Sequence, residues 1–292
     1  MADRYDVIEV GQSGRRRWIG LAVLVLVLSV PVIGLLASRE PPPRAAQPTP
    51  EPIRSLTRID SPPNILQVAP KTKGREQIIK VVFPDGQRAT VRYPAELDLA
   101  GMGVRPFQGV WIDGQYRQVT APYNGEIEIT RGGKPIRSYA PNVTLWPQQA
   151  GSGGRGQVLL FKFGKWALAM YEPGEGLTFD QRVAVARRLR GKVTKGGYLV
   201  LSGGGPVRLA RPGETFQRSP VGPQLWFGGG ARMMVALVPT PHCGKETVIP
   251  FAVGGRGRPV GTVCRDGVQV AVSGSEEFLD QALHGIKVTV ED

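Results

Sequence analysis

Residues 78–93 read IIKVVFPDGQRATVRY. Two runs rich in β-formers, Ile78–Phe83 and Gln87–Tyr93, flank Pro84-Asp85-Gly86. Proline presets one turn dihedral and glycine supplies a positive φ, so this stretch predicts a β-hairpin. Working outward, the same grammar recurs. Val110–Ile112 and Gln115–Thr120 bracket Asp113-Gly114, and Val260–Arg265 and Val268–Val272 bracket Asp266-Gly267. Gln157–Phe163 and Lys165–Tyr171 meet at Gly164. In Glu126-Ile127-Glu128-Ile129 acidic and apolar residues alternate, which predicts a strand with one wet face, paired through Arg131-Gly132-Gly133 with Pro135–Tyr139. Further strands are expected at Tyr198–Leu201, Val207–Ala210, Met233–Val238 and Ile286–Val290. The fold class is therefore α+β and predominantly antiparallel β.

Two helices interrupt this pattern. Thr178-Phe179-Asp180-Gln181 is a capping box, in which the Thr hydroxyl satisfies an early amide and Gln181 reaches back. Phe179, Val183, Ala186 and Leu189 are expected on its buried side. Arg187, Arg188 and Arg190 fall in a last turn that favours cations, and Gly191 is the expected stop. A second helix is expected from about Ser275 to His284, with Glu276 and Glu277 in its first turn and Gly285 ending it. The order helix, glycine, strand thus occurs twice, without a repeat at the level of residues.

The front of the chain is different in kind. Trp18 to Ala37 reads WIGLAVLVLVLSVPVIGLLA, without one charge, and Arg15, Arg16 and Arg17 precede it. At 1.5 Å per residue such a helix covers the ~30 Å hydrocarbon core of a bilayer. The triple arginine sets the topology with the N-terminus in the cytoplasm. A cleaved signal peptide, with Val32-Ile33-Gly34 as the cut, is the competing reading; the length of the run favours an uncleaved anchor. The resulting organisation is a cytoplasmic tail (1–17), a transmembrane helix (18–37), a proline-rich stalk (38–75), an all-β lobe (76–150), a Gly-rich linker (151–156) and a mixed lobe (157–292). The stalk contains Pro41-Pro42-Pro43 and Pro62-Pro63 and favours extended polyproline II. The expected location is the cell membrane, single-pass, with the C-terminal region extracellular.

The 292 residues carry a net charge of +13. Residues 76–292 hold 26 Lys+Arg against 18 Asp+Glu, a net of +8. A basic exterior suits anionic wall polymers or lipid head groups. Nucleic acid is set aside, because no recognition motif is present and an outward-facing domain does not meet it. The two cysteines, Cys243 and Cys264, bracket a short stretch expected to hold strand and outside the cytoplasm read as one disulfide.

Sequence patterns of catalysis are missing. Gly151-Ser152-Gly153-Gly154-Arg155-Gly156 fits G-x-G-x-x-G, but a strand-like run follows where a dinucleotide site needs a helix. His242 and His284 have no partner at catalytic or zinc spacing. The pairs Glu126/Glu128 and Glu276/Glu277 are accounted for by a wet strand face and a helix start. We therefore assign no catalytic, cofactor or metal residues. Trp111, Trp146 and Trp166 read as core, and Trp226-Phe227, followed by three glycines, reads as an exposed aromatic platform.

Phe163-Gly164-Lys165-Trp166-Ala167-Leu168, Gly176-Leu177-Thr178-Phe179-Asp180-Gln181 and Ala184-x-Ala186-Arg187-Arg188-Leu189 together resemble a segment of exported, membrane-tethered domains of Gram-positive bacteria, including anti-sigma-associated extracytoplasmic domains. The chain as a whole is similar to single-pass envelope proteins of actinobacterial type. The resemblance implies an extracytoplasmic sensing or interaction domain and carries over no catalytic residue. A sigma-binding role is set apart from it, because seventeen residues are too few for such a domain. Three functions follow as expectations: a non-catalytic binding, scaffold or sensory module, whose partner is a wall polymer or another envelope protein; a cell-wall-directed hydrolase using paired carboxylates or His242; and an accessory subunit that makes lateral contacts through its anchor.

Overall fold

The computed structural model describes residues 64–148, 156–229, 233–244 and 247–291. The anchor (Trp18–Ala37), Arg15–Arg17 and most of the stalk lie outside these residues. Among the described residues no helix is long and apolar enough to cross a membrane.

The opening hairpin forms as read: β1 (Lys71–Lys73), β2 (Glu76–Val82) and β3 (Arg88–Pro94) make an antiparallel meander. After α1 (Leu99–Met102), β4 (Val104–Ile112) and β5 (Gln115–Thr120) turn at Asp113 and Gly114, whose φ values of 49° and 78° are those of a type I′ hairpin. Next come α2 (Ile127–Thr130), β6 (Arg137–Ala140), β7 (Val143–Trp146) and the hairpin of β8 (Gln157–Phe163) with β9 (Trp166–Glu172). The chain continues through α3 (Phe179–Arg188), β10 (Arg190–Val193), β11 (Leu199–Ser202), β12 (Val207–Leu209), β13 (Thr215–Phe216) and β14 (Ser219–Pro220). It closes with β15 (Gln224–Gly228), β16 (Met234–Pro239), α4 (Phe251–Gly254), the hairpin β17 (Val260–Arg265) and β18 (Val268–Ser273), α5 (Glu276–Gly285) and β19 (Lys287–Glu291).

Two lobes split at 151–156 are not what these strands build. One eleven-stranded sheet has the order β17-β18-β16-β15-β4-β5-β9-β8-β7-β6, with β12 also on β4. Strands from both sides of the expected linker pair within it, β4 with β15 and β5 with β9. The last strand, β19, pairs with β3, so the end of the chain completes a sheet begun at residue 71. The described residues accordingly form one unit.

The twice-repeated helix–strand order has a larger meaning in three dimensions. Outward from the centre, one half of the sheet runs β4, β5, β9, β8 and the other runs β15, β16, β18, β17. Each half contains a hairpin, a four-residue helix, a further hairpin and a ten-residue helix that leads straight into a strand; the first half inserts the extra hairpin β6–β7 after its short helix. The halves meet at the antiparallel pair Pro106↔Leu225. One row crosses the sheet through that pair: Leu225 opposes Leu237, Leu237 opposes Val270, and Val270 opposes Val263. On the other side Ala121 donates its N–H to the Pro106 carbonyl, and Leu168 opposes Phe161. The whole row belongs to or borders the main core. The order of strands is thus pseudo-two-fold, although the residues themselves do not repeat.

Strands β8, β9, β16 and β18 are covered on both faces over most of their length, which explains their nearly continuous apolar runs. Leu159, Phe161, Leu168 and Met170 face the main core, shared with the small sheet, α3 and α5. Val158, Leu160, Ala167 and Ala169 face a satellite cluster closed by Ile129 of α2. Met234, Ala236 and Ala271 face the matching cluster closed by Val253 of α4.

Several boundaries differ from the sequence reading. Glu126–Thr130 is a helical turn and not a strand. Glu128 accepts a hydrogen bond from the Asn124 N–H, Glu126 pairs with Lys162, and Ile129 alone fills the satellite cluster while Ile127 stays exposed. The third hairpin instead joins β6 to β7. The stalk ends earlier than residue 75. Asn64 is buried, its Nδ2 donating to Pro122 O (3.0 Å) and Ala167 O (2.6 Å) while its Oδ1 accepts from Ala167 N. Leu66 exchanges backbone hydrogen bonds with Val104. The capping box of α3 is present, but the helix ends at Leu189, so Gly191 and Arg190 belong to β10. Val185, Ala186 and Leu189 enter the core, while Phe179 stays on the surface beside Tyr139 and Arg137.

Cys243 and Cys264 are joined, 21 residues apart in sequence, tying the loop after β16 to the edge strand β17. In the chain-entropy model a loop of this size stabilises by about 3 kcal/mol. Replacing both cysteines by serine is expected to lower stability by that amount. A urea midpoint equal to that of the unaltered protein would refute it.

Candidate functional site

The face of the main sheet that carries the satellite clusters is open between them. There a cleft of about 620 Å³ lies over the central strands, within the ~300–1,000 Å³ usual for ligand sites. Its floor comes from β4 and β15. Phe107 and Trp226 stack at 4.8 Å between ring centres, one from each half of the sheet. Tyr123 and Glu128, beside and on α2, line one side; Phe251 at the start of α4 lines the other and is largely exposed.

The third wall is the small β13–β14 hairpin. Its turn residues Gln217 and Arg218 hold φ values of 49° and 65°, a type I′ geometry adopted without glycine. The turn holds Phe216 against Tyr116, 4.4 Å between ring centres, and both rings contact Trp111 edge-on. Burial raises the pKa of Tyr116, which stays a neutral phenol. The wall is braced from behind, where Glu214 accepts two 2.8 Å hydrogen bonds from Arg208 and one from the Arg211 N–H.

Those bonds, the Arg208 pair foremost, hold the Glu214 carboxyl down at about 2, against an ordinary 4.5. A depressed folded-state pKa stabilises above the unfolded value, and that contribution fades as pH falls from about 4.5 towards 2. The pair is largely solvent-exposed, so we scale it to about 1 kcal/mol. Glu214→Gln is expected to flatten this part of the acid-unfolding curve. An unchanged stability profile between pH 5 and 2 would count against the brace.

Arg105 is the charged group of the floor. It is only 9 % exposed. Nη1 donates to Ala121 O (3.0 Å) and Nη2 to Gly228 O (3.2 Å), while Nε has no partner. The guanidinium faces the rings of Tyr123 and Trp226 at 5.5 and 5.9 Å. Burial lowers its pKa, and the Glu128 carboxylate offsets this only in part. Thr120, also on the cleft, has a buried hydroxyl without a hydrogen bond.

The expected platform Trp226-Phe227 is therefore divided. Strand alternation sends Phe227 into the main core at 1 % exposure and Trp226 into the cleft. The three glycines after them do not make a loop of Trp226; it sits in mid-strand, paired with Arg105 and Ala236. Trp146 and Trp166 are core residues, as read. Sequence reasoning passed over Arg105, Tyr116, Tyr123 and Phe216. Nothing in their spacing brings them together; the pairing of β4 with β15 at the centre of the sheet does so.

The histidines lie elsewhere. His242 lines a shallow pocket with Cys243, Thr240 and Thr247, which holds no acidic side chain among the described residues. His284 is on the surface, its Nδ1 2.9 Å from Asp280 O. Among the described residues no group of three His, Cys, Asp or Glu is placed to hold a metal. Among the described residues the aromatic cleft presents a single carboxylate, Glu128, where glycoside hydrolysis by paired acids needs two. Comparison with protein-family models, with curated proteins and with solved structures finds no match for this chain.

Proposed function

We propose that this chain is a single-pass envelope protein whose folded region, held outside the membrane on the proline-rich stalk, is a non-catalytic binding module. The cleft over the central strands is its ligand site. One observation carries this reading: two aromatic rings from the two halves stack on the floor of a cleft that also holds a buried, incompletely bonded guanidinium. Apolar walls with a few converging polar groups are the usual make-up of a binding pocket. The anchor and its arginines, the resemblance to actinobacterial envelope proteins and the basic exterior support the placement and favour a wall polymer over a protein partner.

Two measurements test the reading. Protease added to intact cells is expected to remove the C-terminal region; survival of that region until lysis would place it inside and end the proposal. Purified wall material is expected to quench the tryptophan fluorescence of the full chain in detergent. Trp226→Ala is expected to weaken that binding at least about tenfold, as loss of a central aromatic anchor does. Binding of equal strength by the variant would remove the cleft from the account.

A further inference from the structure

The cleft holds a cation that the fold leaves incompletely satisfied. Among the described residues no carboxylate lies within ion-pair distance of Arg105; Glu128, on the same cleft, acts on it only from farther off, and the guanidinium's hydrogen-bond partners are two backbone carbonyls. A buried charge without a counter-charge is unfavourable, and a site that keeps one gains when an anion arrives. Arginine's planar fork matches the two oxygens of a carboxylate. Thr120 adds a second buried polar atom without a partner in the same cleft. Around them the rings of Trp226, Tyr123, Tyr116 and Phe216 line the cleft with apolar surface, while Gln118 and Gln217 supply amides at the walls.

Taking the cleft as the binding site, we infer that its ligand is an acidic glycan, with sugar rings lying on the aromatic faces and a ring carboxylate bonded to Arg105. The apolar face of a pyranose fits a stacked aromatic floor, its hydroxyls suit the amides and Thr120, and its carboxylate supplies the directly bonded counter-charge that Glu128, farther off, does not. A polymer of glycerol phosphate has the charge but no ring to stack, so the aromatic lining selects against it.

The test uses the full chain in detergent at low salt, titrated by calorimetry with three probes: a tetramer of galacturonic acid, the same tetramer with its carboxyls methyl-esterified, and a glycerol-phosphate oligomer of equal charge. The free acid is expected to bind at least about tenfold more tightly than either. Arg105→Lys keeps a charge but loses the fork, and Arg105→Gln removes both; each is expected to reduce the preference for free acid over ester, Gln more than Lys. Circular dichroism confirms that the variants are folded. Equal binding of acid and ester would overturn the role of the carboxylate while leaving the cleft as a glycan site. Equal binding of the glycerol-phosphate oligomer would overturn the role of the rings. Binding of none of the three probes, with wall material still quenching fluorescence through Trp226, would overturn the glycan assignment alone; loss of both would take the binding-module reading with it.

Discussion

Glu172→Gln is expected to destabilise the protein by about 3 kcal/mol, close to the full cost of breaking a buried ion pair. Glu172 ends β9 with its side chain 0 % exposed, and Arg182 on α3 lies against it. The Nη2–Oε2 distance is 2.6 Å, Nε reaches both carboxylate oxygens at 3.1 and 3.2 Å, and the Leu177 N–H adds a fourth bond at 3.0 Å. The pairing raises the pKa of Arg182, chiefly through the hydrogen bond to Glu172. Glutamine fills the same space but brings no charge, so the guanidinium keeps only neutral partners, Gln157 Oε1 and the Tyr139 hydroxyl among them. With a denaturant dependence of about 2–3 kcal/mol per molar urea, the midpoint should fall by roughly 1 M. Replacing both partners by leucine leaves no buried charge behind, so the double variant should regain most of the loss. A single-variant loss under about 1 kcal/mol would show that the pair does not fasten α3 to the sheet.

Trp166→Ala is expected to cost about 4 kcal/mol, and Trp166→Phe about 1 kcal/mol. Trp166 opens β9 at 2 % exposure, opposite Phe163 in the β8 hairpin, and its Nε1 donates to Gly197 O at 2.9 Å. Phenylalanine keeps most of the ring packing and gives up that hydrogen bond; alanine empties the site. The contrast separates burial from bonding. If the two variants lost equal stability, the hydrogen bond and not the packed volume would be holding the start of β9.

These sites show how far local pattern reaches. Trp166, the Asp113-Gly114 and Asp266-Gly267 turns, the Thr178 cap and the α5 helix all form where the residues indicate, because hairpins and caps are fixed within a few residues of chain. Glu126–Thr130 failed for the same reason in reverse. Its alternation satisfies a strand, but the Asn124–Glu128 bond and a single pocket for Ile129 are local helical features that alternation does not encode. Gly191 misled because Leu189 leaves the helix in extended geometry and passes directly into β10.

The cleft was out of reach for a different reason. Arg105, Tyr116, Phe216 and Trp226 are dispersed over more than one hundred positions, and each reads alone as an ordinary strand or loop residue. Their meeting depends on β4 pairing with β15, and no feature near either strand announces that choice.

By itself the sequence determined an antiparallel, hairpin-built α+β protein with two capped helices and a pair of cysteines suited to a disulfide, because these features depend on contacts between near neighbours. Only the tertiary structure decided that the expected lobes share one sheet, that β19 closes on β3, and that two halves face each other across Pro106 and Leu225. Long-range strand pairing is chosen by which apolar rows fit together in the core, and an alternating pattern of apolar residues fits many partners equally well.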